Sequence, residues 1–410
     1  MVKRFIAFIV TIFLVLSSAG CWSRREIEKL AMATMLTYDK FTVDGQEKWM
    51  VSGTFIIPGA LAAEGPLGGK GGEGNDKATL LVSGVGNTVW EATRNLSTRL
   101  PRREYIAHTN IIILSEKVAR EGVDQIIDAF LRSKDIRLNT WVLVTKGQAL
   151  DVLKTEPEME QLLSQEIIGL VQNNQPTVSK AVTTDIKSFI NQLITPGRDA
   201  VASYIEIFKR DEETGENKTQ GSSTEDEPQK ALRLIGASVF RKEKLVGFLD
   251  DLETKGFLYG IGKAKQGTIS ISVHEPDKND VVFAMTRSSS KIIPKVDRDE
   301  ITFIIEIFAE GDLQQHEDTK PIADPKTMKT IEERAAQEIK AMVEKALNKA
   351  QKEFEADIFG LGDRLHKRYP QIWKQVEKNW RDIYPDIEVT VKVDAKIRRT
   401  GLITDTPIIR

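Results

Sequence analysis

The chain has 410 residues, with 58 Lys and Arg against 60 Asp and Glu, for a formal charge of −2. That balance excludes the basic footprint of a nucleic-acid binder and the clustered positive charge that holds a protein on an anionic membrane surface. A single cysteine, Cys21, excludes an internal disulfide, and the four dispersed histidines leave no ligand spacing for zinc or an iron–sulfur cluster.

Lys3 and Arg4 give the N-terminus a positive start. From Phe5 to Leu16 every residue but Thr11 is apolar. As a helix this run reaches about 18 Å, short of the roughly 30 Å of hydrocarbon that a spanning helix must cross. It has the length of a signal-peptide core. Ser17, Ser18, Ala19 and Gly20 follow, and then Cys21. This order resembles a bacterial lipoprotein signal, in which small residues admit the backbone to the enzyme that lipidates the thiol. Ser18 stands where such signals usually carry Leu, and Leu16 lies two residues earlier. The expectation is a signal peptide over residues 1–20 and lipid attachment at Cys21. Loss of Lys3 and Arg4 with the signal moves the formal charge from −2 to −4. The lipid then does the anchoring, and a diacylglycerol holds where one acyl chain binds only reversibly.

Trp49 to Ile57 reads as a strand ended by Pro58 and Gly59. Gly65 to Gly74 is glycine-dense and lacks apolar periodicity, which predicts a loop. Val89, Ala92, Leu96 and Leu100 recur at helical spacing within Thr88–Leu100. Asn110–Leu114 and Trp141–Val144 are short apolar strands, and Val123, Ile126, Ile127, Phe130 and Leu131 mark a helix between them. Strands alternating with helices predict a layered α/β arrangement for residues 21–208, with room for two subdomains. Two further helices carry Met159 to Val171 and Ile186 to Leu193, the second with Thr184 as its N-cap and Pro196–Gly197 as its stop. Ala200 to Phe208 is a strand.

Residues 209–230 are almost wholly polar, which predicts a linker or an exposed hairpin tip and places the domain boundary there. Residues 231–410 read as an α+β domain. Leu232–Phe240 and Leu245–Leu249 form a hairpin around Arg241–Lys244, and Thr268–Val273, Val281–Met285 and Ile301–Phe308 are strands. A long amphipathic helix opens with Asp324 as N-cap and Pro325 in its first turn. Its apolar stripe runs from Ile331 to Phe354, and the pattern continues to about Ile358, for a length of about 50 Å ended by Gly360 and Gly362. Trp373, Val376, Trp380 and Ile383 share the face of a second helix, and Ile387, Val389, Val391 and Val393 alternate as a half-buried strand. The expected fold class is α+β and multidomain, with mixed sheets, packed helices and the long helix in the C-terminal domain.

The search for chemistry returns no catalytic constellation. His108, His274, His316 and His366 are isolated. Gly84 and Gly86 lack the third glycine of a dinucleotide loop and read as a tight turn before a helix. Gly260, Gly262 and Lys263 lack phosphate-loop spacing, and Ser288 with Lys291 lacks the companion motifs of a Ser-x-x-Lys enzyme. Asp250, Asp251 and Glu253 suit a solvated helix start better than a calcium loop. Trp373 and Trp380 suit a core anchor better than a ligand platform. The reading is of a non-enzymatic protein with no cofactor, no metal and no catalytic residue.

Four segments together resemble one family, the Ger(x)C lipoproteins, C subunits of spore germinant receptors. They are GCWSRREIEKLA from Gly20, AHTNIIILSEKVAREGVDQIIDAFLRSKDIRLNTWVLVTKGQALDVL from Ala107, GASVFRKEKLVGFLDDLETKGFLYGIGK from Gly236, and YPQIWKQVEKNWRDIYPDIEVTVKVDAKIRRTGLI from Tyr369. Ser115 stands before Glu116 where the family often has glycine. The resemblance implies a lipoprotein on the outer face of the spore inner membrane. It implies work with a multispan A subunit and a multispan B subunit in a nutrient response that starts germination. Only Cys21 carries over with a defined role, and direct nutrient binding by this subunit is left open. The alternatives are a solute-binding lipoprotein and an envelope hydrolase.

Overall fold

The structure, a computed structural model, describes residues 3–6, 8, 26–58, 78–133, 135–209, 230–272, 281–298, 300–316 and 325–399. Cys21, most of the signal segment, the Gly65–Gly74 stretch, residues 210–229 and Asp324 lie outside the described residues.

The first body is built on a nine-stranded mixed sheet in the order β3-β2-β1-β5-β6-β7-β8-β9, with β4 beside β1. Its strands are β1 (Leu30–Val43), β2 (Gln46–Ile56), β3 (Thr79–Gly86), β4 (Arg103–Tyr105), β5 (Ile111–Ser115), β6 (Trp141–Thr145), β7 (Val201–Lys209), β8 (Lys230–Arg241) and β9 (Lys244–Leu249). The centre, β1-β5-β6-β7, is parallel, and antiparallel pairs flank it on both sides. Helices cover both faces. On one side lie α1 (Val89–Asn95), α2 (Glu116–Glu121), α3 (Asp124–Arg132) and α6 (Ile186–Ile194); on the other lie α4 (Ala149–Leu153) and α5 (Leu163–Thr177).

Side chains on a strand point alternately to opposite faces. Accordingly Ile112 and Leu114 of β5 join the α1–α3 side, and Ile111 and Ile113 join the α4–α5 side. Val142 and Val144 of β6 divide from Leu143 in the same way. With both faces buried, these strands read as unbroken apolar runs rather than alternating ones.

The second body has a four-stranded sheet in the order β10-β11-β12-β13. Its strands are β10 (Gly267–Ile271), β11 (Val281–Asp297), β12 (Glu300–His316) and β13 (Glu388–Arg399), the last parallel to β12. Two helices pack on it, α7 (Asp251–Gly260) and α8 (Pro325–Asn348). The stripe Ile331, Ala335, Ile339, Val343 and Ala346 of α8 is fully buried there. The helices α9 (Leu361–Arg368), α10 (Pro370–Val376) and α11 (Trp380–Ile383) close the chain's path back to β13. Beyond Met285, β11 has no outer partner among the described strands, and Lys291, Pro294 and Lys295 stand on this edge, where charge and proline oppose pairing with another chain.

Several expectations change. The sheet does not divide at 209–230: Lys209 pairs with Lys230, and β8 and β9 complete the first sheet. Val201, Ala237, Val239 and Leu249 of that sheet also belong to the apolar cluster of the second body, so the two bodies share a core. The helix expected from Met159 begins at Leu163, and Met159 is 93% exposed. The cap of α6 is Asp185, whose carboxylate accepts from Ser188 N, whereas Thr184 is buried and donates to the Val201 carbonyl. The long helix is α-helical for 24 residues, or about 36 Å, and then widens into a π-turn over Lys349–Glu353. Glu355, at φ 46°, turns the chain there without a glycine. Gly360 instead precedes α9, and Gly362 lies inside it. The second helix is broken into α10, a 3-10 turn and α11.

Gly84 and Gly86 are strand residues of β3 rather than a tight turn. A Cβ on Gly84 would lie 2.2 Å from the Ala92 carbonyl oxygen, and one on Gly86 would lie 2.5 Å from Ala92 N. Their role is to let the backbone of α1 rest directly on the sheet.

Candidate functional site

The residues singled out by sequence fall mainly into structural roles. Asp250 caps α7 and forms a capping box with Glu253, and both carboxylates pair with Lys345, Glu253 also with Lys349. Ser288 and Lys291 sit on one strand, where positions three apart face opposite sides, and Ser288 donates to the Ala264 carbonyl. Gly260 lies against Phe359 at the end of α7. His366 stacks on Trp373 with ring centroids 5.6 Å apart, His274 lies outside the described residues, and His108 ends a 3-10 turn. Among the described residues no three His, Cys, Asp or Glu side chains gather as a metal group, and no helix is long and apolar enough to cross a membrane.

The structure brings together a polar junction that sequence reading did not assemble. The α6–β7 loop supplies Gly197, Arg198 and Asp199, and the segment after α8 supplies Asp357, Leu361 and Gly362. Asp199 N donates to the Asp357 carbonyl at 2.9 Å, and Asp357 N donates to Asp199 Oδ2 at 2.9 Å. Asp199 Oδ1 accepts from Lys242 N at 3.0 Å and from Arg381 Nη2 at 3.1 Å. Asp357 accepts from Leu361 N, Gly362 N and the Trp380 indole at 2.9, 2.8 and 3.2 Å. Gly197 and Gly362 meet backbone to backbone: a Cβ on Gly362 would lie 2.6 Å from Gly197 Cα.

Burial pushes the Asp357 carboxyl up to about 7, and the nearby Asp199 charge adds to the rise, against the downward pull of its N–H donors. Burial lowers the Arg198 guanidinium, and its Nε is buried without a hydrogen-bond partner. The sequence signals near this junction were the helix-stopping glycines Gly197, Gly360 and Gly362, and its carboxylates are 158 residues apart.

Beside the junction a cleft of about 760 Å³ opens between the two bodies. Trp141, Asp185 and Ser188 line one wall, and Lys263, Lys265 and Arg287 line the other. Burial, with the Arg198 charge, lowers Lys263 below the usual lysine range, while Asp185 opposes the shift. A second groove of about 770 Å³ runs between α1 and α3 past Trp90. Its cation, Arg132, is paired with Asp128 at 2.9 Å.

Comparison with known proteins divides the chain between β7 and β8, inside the first sheet. Residues 23–207 match the family described as "Spore germination protein N-terminal domain", and residues 235–401 match "Spore germination B3/ GerAC like, C-terminal". The chain belongs to the Ger(x)C family. Spore germination protein YndF of Bacillus subtilis (strain 168) is 25% identical to this Ger(x)C chain over 414 residues, covering 97% of each. Spore germination protein KC of the same organism is 25% identical over 407 residues, covering 98% of this chain and 97% of the relative. The crystal structure of the GerBC protein aligns with a TM-score of 0.54 at 18% identity, over 88% of this chain and 97% of that one, which shows a common Ger(x)C fold. The fold class read from sequence, α+β with mixed sheets and a long C-terminal helix, agrees with it.

Proposed function

We propose that this protein is the non-enzymatic lipoprotein subunit of a spore germinant receptor. The observation that carries the reading is the match of both family domains, in order, over most of the chain. In this reading the signal over residues 1–20 is removed and a diacylglycerol on Cys21 holds the chain to the outer face of the spore inner membrane. Two soluble bodies joined at Asp199 and Asp357 are thereby kept close to multispan A and B subunits, which raises their effective concentration for those partners.

The test is deletion of the chain in spores, read as loss of optical density after nutrient addition. Loss of response to particular nutrients, with calcium-dipicolinate germination intact, supports the receptor role. A full response to every nutrient, with paralogues also removed, sinks it. Cys21→Ala tests the anchor: the protein should leave the membrane fraction and the nutrient response should weaken. Mass spectrometry of the membrane-bound protein that finds the Cys21 thiol unmodified refutes lipid attachment at that residue.

A further inference from the structure

The charged side chains that line the cleft between the two bodies are mostly of one sign. Three cations, Lys263, Lys265 and Arg287, line it with one carboxylate, Asp185. The whole chain is net negative, at −2, so this is a local concentration of positive charge against the overall balance. Asp185, whose carboxylate also caps α6 by accepting from Ser188 N at 2.6 Å, offsets one of the three charges and leaves the lining net positive. None of the three cations makes a hydrogen bond through its side chain, or an ion pair within 4 Å, to another described residue. Elsewhere many of the described lysines and arginines are paired, as Lys349 is with Glu253 and Arg381 with Asp199.

A cleft lined mainly by one sign of charge focuses the field and concentrates ions of the opposite sign. The geometry points to a binding site for a small, multiply charged oxyanion, a phosphate or a di- or tricarboxylate, in the cleft between the two bodies. Arg287 offers a planar fork that matches two oxygens of such an anion, and Lys265 and Lys263 supply point charges from the neighbouring segment. Trp141, at the start of β6, lines the opposite wall. Because the cations belong to the second body and Trp141 and Ser188 to the first, an anion held there touches both bodies and stabilises their observed orientation. The assignment is independent of the receptor reading, since it concerns binding by the isolated protein.

Calorimetry on the full-length chain in detergent, at constant ionic strength, tests it with inorganic phosphate and with citrate as probes. Saturable binding of at least one is expected, with quenching or enhancement of Trp141 fluorescence that Trp141→Phe removes. Arg287→Gln and Lys265→Gln each change an exposed side chain, leave the fold intact by thermal unfolding, and should weaken binding about tenfold. Lys265→Arg, which keeps the charge, should retain it. No saturable binding of either anion at millimolar concentration overturns the assignment, as does binding that both Gln variants leave unchanged. Association with anionic phospholipid vesicles that the Gln variants abolish, without binding of either soluble anion, overturns it in favour of a lipid headgroup.

Discussion

Gly256 lies in the middle of α7, whose residues Glu253 to Gly260 are all buried. A Cβ built on it would lie 2.0 Å from the Met342 carbonyl oxygen and 2.4 Å from the Met342 carbonyl carbon, both backbone atoms of α8. A carbon–oxygen contact needs about 3.3 Å, so Gly256→Ala must push the two helices apart by about 1.3 Å. The obstacle is the backbone of a long helix whose other side is packed on a sheet, and no side-chain rotation relieves it. Overpacking of this kind costs about 3 kcal/mol. Alanine returns about 1 kcal/mol through its better helix propensity, leaving a net loss of about 2 kcal/mol. In thermal unfolding that is a fall of about 4–8 °C for a unit of this size. Gly169 of α5 supplies the opposite case: it is also helical, and a Cβ there meets nothing within 4 Å. Gly169→Ala should therefore raise stability by about 1 kcal/mol. If Gly256→Ala is as stable as the parent, or gains as Gly169→Ala does, the helix crossing is not in backbone contact and the reasoning fails.

Asp357 should give the protein a pH signature. Its folded value of about 7 lies above the ordinary 3.8, so between those values the folded state holds a proton that the unfolded state has lost. Stability should fall by about 4 kcal/mol as pH rises through that window and level off above it. Urea unfolding from pH 4.5 to 8 checks this, and Asp357→Asn should lose that slope whatever its absolute stability; an unchanged slope refutes the assignment. Asp39, only 2% exposed on β1, accepts from Ala149 N at 2.7 Å and Leu150 N at 3.0 Å and so caps α4 from a neighbouring strand. Asp39→Ala should cost about 2 kcal/mol in unfolding free energy, and a change below about 0.5 kcal/mol would show that the cap is dispensable. Trp380→Phe keeps an aromatic ring beside Trp373 and Phe303 but removes the indole donor to Asp357. It should destabilise by about 1–3 kcal/mol, measured by the same unfolding.

What could be read from sequence follows from how each element is buried. The stripe of α8 was legible because one side is core and the others are solvated Lys and Glu. Its end was not, because the chain turns at Glu355 rather than at a glycine. β1 escaped notice although it is central and 14 residues long. Its buried run mixes Thr34, Thr37 and Asp39 with the apolar residues, since the carboxylate of Asp39 serves another element and Thr34 bonds to Thr54 across the strands. β3 was hidden because its glycines answer to a helix above them, which no local pattern reveals. The junction at Asp199 and Asp357 and the cationic cleft are both assembled across the two bodies, so their residues carry no spacing signal. The family resemblance, by contrast, was legible in short segments from Gly20 onward, and the comparisons bear it out.

The pairing of Lys209 with Lys230 also bears on the order of events during synthesis. When the ribosome has made β7, the parallel centre of the first sheet can assemble, but its last strand has an open edge. The strands that close that edge end at Leu249, about 40 residues later, which at 5–20 residues per second is an interval of about 2–8 s. A fragment ending near residue 209 would keep that edge permanently, leaving the backbone groups of β7 that pair with β8 unpartnered. A recombinant half cut between the two bodies should therefore carry its sequence through Leu249, so that β8 and β9 close that edge.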